Sequence, residues 1–276
     1  MQNPSIFVKI ISLRNEKRKF VIEMKAIKKL LAKILSQQAY LRTLHRAFYF
    51  LYDFKLLRGD ARFKYHYMVR KIIQPDFVVV DIGANLGYFS KNFARLAKGG
   101  RVISIEPVPI FYNVLTHFLG SRQNVEIHNV ALGKEEGIIT MVMPESDGFI
   151  RTGLPHIANS EEEKKNHKTQ EVKIVKAKDF IGKITKIDYI KCDIEGYEGI
   201  VFEELRPILD EKRPLVQLEI SEQNKDHLLG LFKDLDYVQF GIANFKFIQE
   251  NGNQHEEGDY FFVPSEKLNY FLKLIG

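Results

Sequence analysis

The segment DIGANLG (residues 81–87) follows directly on the apolar run FVVVDI (77–82) and leads into a stretch whose apolar residues recur at helical spacing. That order reads as a buried strand, a tight turn and the start of a helix. Gly83 and Gly87 carry no Cβ, so the backbone there can turn sharply and a ligand can lie against it. The first turn of the helix adds N–H groups that have no partner within the helix. A chain built on such a unit is drawn towards a wound α/β sheet with a ligand at its strand ends.

The rest of the chain fits that frame. After 77–82, apolar strand-like runs occur at 101–106, 125–130, 186–194 and 214–220, and amphipathic helices are predicted at 88–97, 110–119, after Gly196, and at 226–235. Two last strands are expected at 237–242 and 260–264. Residues 137–142 and 171–175 are β-like and flank a polar insert, 144–170, whose EEEKKNHK run reads as a solvated loop tip. The expectation is an α/β, Rossmann-like, seven-stranded and mostly parallel sheet. It occupies 76–276 and carries a helical N-terminal extension over 1–75.

Charge separates these two parts. Residues 1–75 hold 17 Lys/Arg against 4 Asp/Glu, whereas the remainder holds 24 against 31. A mildly acidic catalytic part argues against a nucleic-acid partner. Within the extension, 24–35 (MKAIKKLLAKIL) gathers Ile27, Leu30, Leu31, Ile34 and Leu35 on one helical face with lysines around the other, and a second, aromatic-rich helix is expected over 40–57. This basic element either packs on the catalytic part with its charges solvated or touches an anionic membrane. The single cysteine, Cys192, cannot form an internal disulfide and reads as core packing. With no apolar run long enough to span a bilayer and no secretory pattern at its start, the chain is expected in the cytoplasm, peripheral at the inner membrane surface if the basic element engages lipid.

The chemistry of the first strand end separates two cofactor classes. A dinucleotide places its pyrophosphate at the helix start, normally on Gly-x-Gly-x-x-Gly. Here the spacing is Gly-x-x-x-Gly around Asn85, and Asp81 closes the strand. A carboxylate there opposes phosphate and suits S-adenosylmethionine, which brings an ammonium and a sulfonium; one such contact at ~4 Å is of order 4 kcal/mol before desolvation. Glu106, followed by Pro107, ends the second strand and can accept from both ribose hydroxyls. Asn129 and Ala131 fall near the adenine, where Asn129 either bonds the base edge or caps the turn. A nicotinamide-dependent oxidoreductase is the rival enzyme reading, and a non-catalytic nucleoside-binding adaptor the rival outside enzymes.

The blocks DIGANLGYFS (81–90), IEPVP (105–109), NVALG (129–133), YIKCDIEGYE (189–198) and LEIS (218–221) together resemble the FkbM-type methyltransferases. The resemblance implies a class I methyltransferase fold and methyl transfer to an oxygen, often a hydroxyl of a sugar, glycan or related metabolite. It extends to GFIRTGLPHI (148–157) in the insert.

Methyl transfer is an in-line displacement that gains from alignment and from a base. Asp193 and Glu195 at the fourth strand end are the candidates to orient or deprotonate the acceptor. Two other roles compete: Asp193, Glu195 and Glu219 as ligands of Mg²⁺, which is not favoured, so that no metal ligand is assigned; or capping around Gly196, which suits Glu198 best. His156 in the insert is either a base carried over the site or an exposed loop histidine. Arg151 beside it could grip an acidic group on the acceptor.

Overall fold

The computed structural model describes residues 34–146, 149–158, 160–250 and 259–276. The amphipathic stretch 24–35 falls outside the described residues except for its last two. The aromatic-rich helix is α1, Gln37–Asp53, opened by Ser36, whose hydroxyl accepts from the Ala39 N–H. Leu41, His45, Tyr49 and Tyr52, at spacings of four, four and three, form its buried stripe. Helix α2, Lys64–Ile72, buries Tyr65, Met68, Val69 and Ile72 against one face of the main sheet.

The sheet then forms by alternation: β1 (Val78–Ile82), α3 (Tyr88–Leu96), β2 (Arg101–Ile105), α4 (Pro109–Leu119) and β3 (Val125–His128). A second, four-stranded sheet interrupts the winding. It consists of β4 (Ala131–Gly133), β5 (Gly137–Met143), β8 (His156–Ile157) and β9 (Lys168–Lys176), with the small hairpin β6 (Glu145–Ser146) and β7 (Phe149–Ile150) beside it. The run expected as a loop tip is instead a short helix, α5 (Glu161–Asn166). Ser160 caps it by accepting from Glu163 N–H, its first turn is acidic, and Lys164 and Lys165 close it. Those charges complement the helix dipole, and the exposure expected of the segment is retained.

Winding resumes with α6 (Ala177–Gly182), β10 (Tyr189–Cys192), α7 (Glu198–Lys212), β11 (Leu215–Leu218), α8 (Lys225–Asp234), β12 (Tyr237–Ala243), β13 (Lys246–Gln249), β14 (Tyr260–Pro264) and α9 (Leu268–Ile275). The main sheet runs β13-β12-β14-β11-β10-β1-β2-β3. The five strands from β11 to β3 are parallel, and β14 enters antiparallel between β11 and β12. All seven expected strands are present, and β13 adds an eighth by hairpin extension of β12. Asn244 and Phe245 make that turn with φ of 49° and 58°, both left-handed, as a tight hairpin requires. Strand order reverses between β1 and β10, so their carboxyl ends open a crevice at the edge where ligands of such sheets bind.

Candidate active site

A cleft with about 650 Å³ of empty space lies at that crevice. Gly83 and Asn85 come from the turn after β1, Glu106 and Pro107 from the end of β2, and Ala131 from β4. Asp193 and Glu195 follow β10, and Gly153, Pro155 and Ile157 reach in from the insert. Val108, Phe111, Leu132 and Met141 supply apolar wall. The insert therefore covers one side of the site.

Asp81 stands behind this wall. It is fully buried on β1, where Ser90 Oγ donates to its Oδ2, and Ser104 Oγ donates to Ser90 Oγ at 2.9 Å. Its other oxygen lies 4.0 Å from the ammonium of Lys191, its register partner on β10. Burial pushes the Asp81 carboxyl up, against the pull of Lys191 and Ser90. Lys191, only 3% exposed, reaches Asp193 Oδ2 at 3.0 Å and the Gly83 carbonyl at 3.5 Å. Burial opposes its charge, but Asp193 and Asp81 raise it above the ordinary lysine value. Sequence reasoning missed Lys191. The signal was there: a lysine flanked by Ile190 and Cys192 inside a fully buried strand needs an acidic partner, and Asp81 on the neighbouring strand needs a basic one.

The two motif glycines have different reasons. A Cβ at Gly83 would collide with the Asp193 carbonyl, so this glycine lets the β1 turn press against the β10 turn. Gly87, with φ of 86° at the cap of α3, would place a Cβ 2.5 Å from Leu115 of α4; its role is helix packing, and it does not line the cleft.

Glu106 is 4% exposed and faces the cleft, with Oε2 accepting from Asn85 N–H at 2.7 Å and Oε1 from Val108 N–H at 2.8 Å. Burial pushes it up to about 7, despite those two bonds. Each oxygen retains a lone pair for a ligand hydroxyl. The Asn129 amide donates to the Glu106 and Pro107 carbonyls at 2.8 and 2.9 Å, tying down the turn that aims Glu106. Asn129 is thus occupied as a turn clamp and is not part of the cleft wall.

At the β10 end, burial raises Asp193, but Lys191 and a hydrogen bond shared with Glu219 bring it below the usual carboxylate range. Glu219, the other side of that bond, is pushed up to about 9 by burial and by Asp193. Glu195, held at φ 53°, is pushed up to about 7 by burial, Asp193 and Glu198. Glu198 does act as a cap: its Oε1 accepts from the N–H groups of Gly196 and Ile194, and its Oε2 from Asn224. Among the described residues no group of three His, Cys, Asp or Glu stands together as a metal site. Cys192 is fully buried in the core.

His156 does not line the cleft. Its Nδ1 meets the Leu154 carbonyl at 2.9 Å and its Nε2 meets Glu163 of α5 at 2.6 Å. Burial lowers its pKa, but these contacts outweigh it and raise the imidazole above its ordinary value. Both nitrogens face acceptors, so the ring ties the insert strand to the insert helix and is held away from the cleft. Arg151 likewise stands outside the lining; its backbone N–H donates to the Pro144 carbonyl at 2.8 Å.

Comparison with known proteins matches the methyltransferase FkbM domain to residues 81–239. "Methyltransferase 1" of Beauveria bassiana (strain ARSEF 2860) is 24% identical over 170 residues, which is 53% of this chain and 64% of that protein. The FkbM methyltransferase structure from Methylobacillus flagellatus KT is 17% identical with a TM-score of 0.44, over 69% of this chain and 44% of that one. An S-adenosylmethionine-dependent O-methyltransferase from Thermotoga maritima is 8% identical with a TM-score of 0.39, over 73% and 63%. The match thus spans less than two thirds of each relative. The strand order and the helices between the strands give the Rossmann-like methyltransferase architecture directly. With the domain match covering more than half of its length, the chain belongs to the FkbM methyltransferase family.

Proposed function

We propose that this chain binds S-adenosylmethionine across the ends of β1, β2 and β3 and methylates a hydroxyl of a sugar, glycan or related metabolite. One observation carries the reading: among the described residues the cleft is lined by three carboxylates, Glu106, Asp193 and Glu195, and by no Lys, Arg or His. Such a lining attracts a ligand carrying ammonium and sulfonium charge and opposes a pyrophosphate, which weighs against a nicotinamide dinucleotide. The residues also fit the remaining parts of the cofactor. Glu106 offers acceptors to the ribose diol, Gly83 lines the cleft, and Val108, Phe111, Leu132 and Met141 suit a flat purine.

The bound cofactor supplies an electrophilic methyl carbon. The chain supplies orientation and a proton acceptor. Lys191 keeps Asp193 anionic and fixes its Oδ2, and Glu219 presents a protonated carboxyl to Asp193 near neutral pH. Glu195, titrating at about 7 on the open side of the cleft, is suited to take the acceptor's proton. The insert residues Gly153, Pro155 and Ile157 narrow the space in which the acceptor stands. The test is transfer of labelled methyl from S-adenosylmethionine into fractionated cell glycans and lipids. Label in a hydroxyl-bearing fraction is expected. Cofactor bound without turnover to S-adenosylhomocysteine would leave a nucleoside-binding adaptor instead.

A further inference from the structure

The outward face of α1 is unlike the buried one. Arg46, Ala47, Phe50, Asp53 and Phe54 recur at helical spacing and are all exposed. Phe50 is 60% exposed, and Phe54 and Leu56 are each 66% exposed. The two rings lie 4.8 Å apart, so they form one patch rather than scattered apolar residues.

Arg46 lies one helical turn before Phe50, and Lys55 and Arg58 follow Phe54 in the chain. Arg46, Lys55 and Arg58 are exposed and make no ion pair with any described residue. The two acids in the region are already neutralised: Asp53 is bound to Arg95 at 2.6 Å, and Asp60 pairs with Arg62. The Asp53–Arg95 pair also leads from the patch into a second feature, an open groove lined by Ala94, Arg95, Lys98, Arg122, Gln123 and Asn124. Arg95 is the partner of Asp53, Lys98 and Arg122 add two further cations, and among the described residues no acid lines the groove.

An apolar patch within a cationic fringe, continuous with a cationic groove, has the chemistry of a bilayer interface. Rings and leucine enter the acyl boundary, while lysine and arginine meet phosphates. We propose that this face, Phe50, Phe54 and Leu56 with the Lys98–Arg122 groove, seats the protein on anionic lipid bilayers. Charge selects this occupant over the chain's own first 33 residues. They carry nine Lys/Arg against two Glu and would meet unpaired cations of the same sign. A second copy of the same face is opposed by the same repulsion. The inference stands apart from the cofactor site, since none of these residues lines the cleft.

Cosedimentation of the full chain with phosphatidylcholine vesicles, with and without phosphatidylglycerol, tests it. Binding is expected only to the anionic vesicles and is expected to weaken at high salt, where surface attraction is screened. Phe50→Ser/Phe54→Ser/Leu56→Ser should abolish binding, and Lys98→Glu or Arg122→Glu should each lower partitioning by fivefold or more, about the effect of one surface cation. An unchanged circular dichroism spectrum shows that the variants fold. Wild-type levels of anionic-vesicle binding in the folded triple variant would overturn the proposal, as would equal binding to neutral vesicles or no binding to either. Concentration-dependent dimerisation abolished by the triple variant would also overturn it, assigning the face to a second copy.

Discussion

The Lys191 ammonium lies 3.0 Å from Asp193 Oδ2, which joins the floor of the sheet to the rim of the cleft. The same ammonium is 4.0 Å from the fully buried Asp81, so one cation serves a structural acid and a site acid. Lys191→Met should therefore destabilise the fold by about 3 kcal/mol at neutral pH, since the buried Asp81 loses its compensating cation and must either stay charged alone or take up a proton. Without the lysine, the Asp81 pKa rises further above its unfolded value, so the folded state holds a proton that the unfolded state has released. The deficit should thus grow as pH rises above about 4 and be larger at pH 8 than at pH 5. Asp81→Asn/Lys191→Met should recover part of the loss. Chemical denaturation at both pH values reads this, and strictly additive mutants would contradict the coupling.

Glu195→Gln separates catalysis from binding. The glutamine cannot take a proton, so turnover should fall by roughly 10²–10⁴ while cofactor affinity stays within about twofold. In the wild-type protein the rate should rise with pH through about 7, as Glu195 ionises, and this limb should vanish in the variant. A variant that kept wild-type turnover would remove Glu195 from the site and leave it as part of the loop around Gly196.

His66 packs face to face with Phe89 at 4.0 Å, and both its ring nitrogens are buried without a hydrogen-bond partner among the described residues. Burial and the nearby Lys191 push the imidazole down to about 3. Its folded pKa lies below the unfolded value, so stability present above about 6.5 is lost as pH falls towards 3. His66→Phe retains the stacking and removes the unsatisfied nitrogens. It should stabilise the protein by ~1 kcal/mol or more at pH 7, and the advantage should widen by about 1 kcal/mol for each pH unit between 6 and 4. Thermal melts across that range check it; a pH-independent difference would mean that the ring is protonated in the folded state.

The winding of the sheet was legible because each main strand is a short apolar run bounded by turn residues, and each helix keeps its 3.6-residue period. The cleft was legible where a strand end carries an acid, as at Glu106 and Asp193. Other features depend on contacts that spacing does not encode. Gly87 reads as a ligand glycine in the motif, yet Leu115 on another helix is what excludes a side chain there. The partner of Lys191 is 110 residues away in sequence, across the β1–β10 register. The second sheet forms because 137–143 finds 168–176 across the insert, which local pattern leaves undetermined. The helix at Glu161–Asn166 did announce itself through Ser160, three glutamates and two lysines, but its polarity all round resembles a solvated loop.

The most direct test of the account is calorimetric titration of the protein with S-adenosylmethionine and, separately, with NAD. Saturable binding of S-adenosylmethionine and far weaker binding of NAD are predicted, because three carboxylates and, among the described residues, no cations line the cleft. Glu106→Ala should weaken S-adenosylmethionine by ~1–3 kcal/mol, the value of a lost charged hydrogen bond. Tighter binding of NAD, or unaltered S-adenosylmethionine affinity in the Glu106 variant, would contradict the placement of the cofactor.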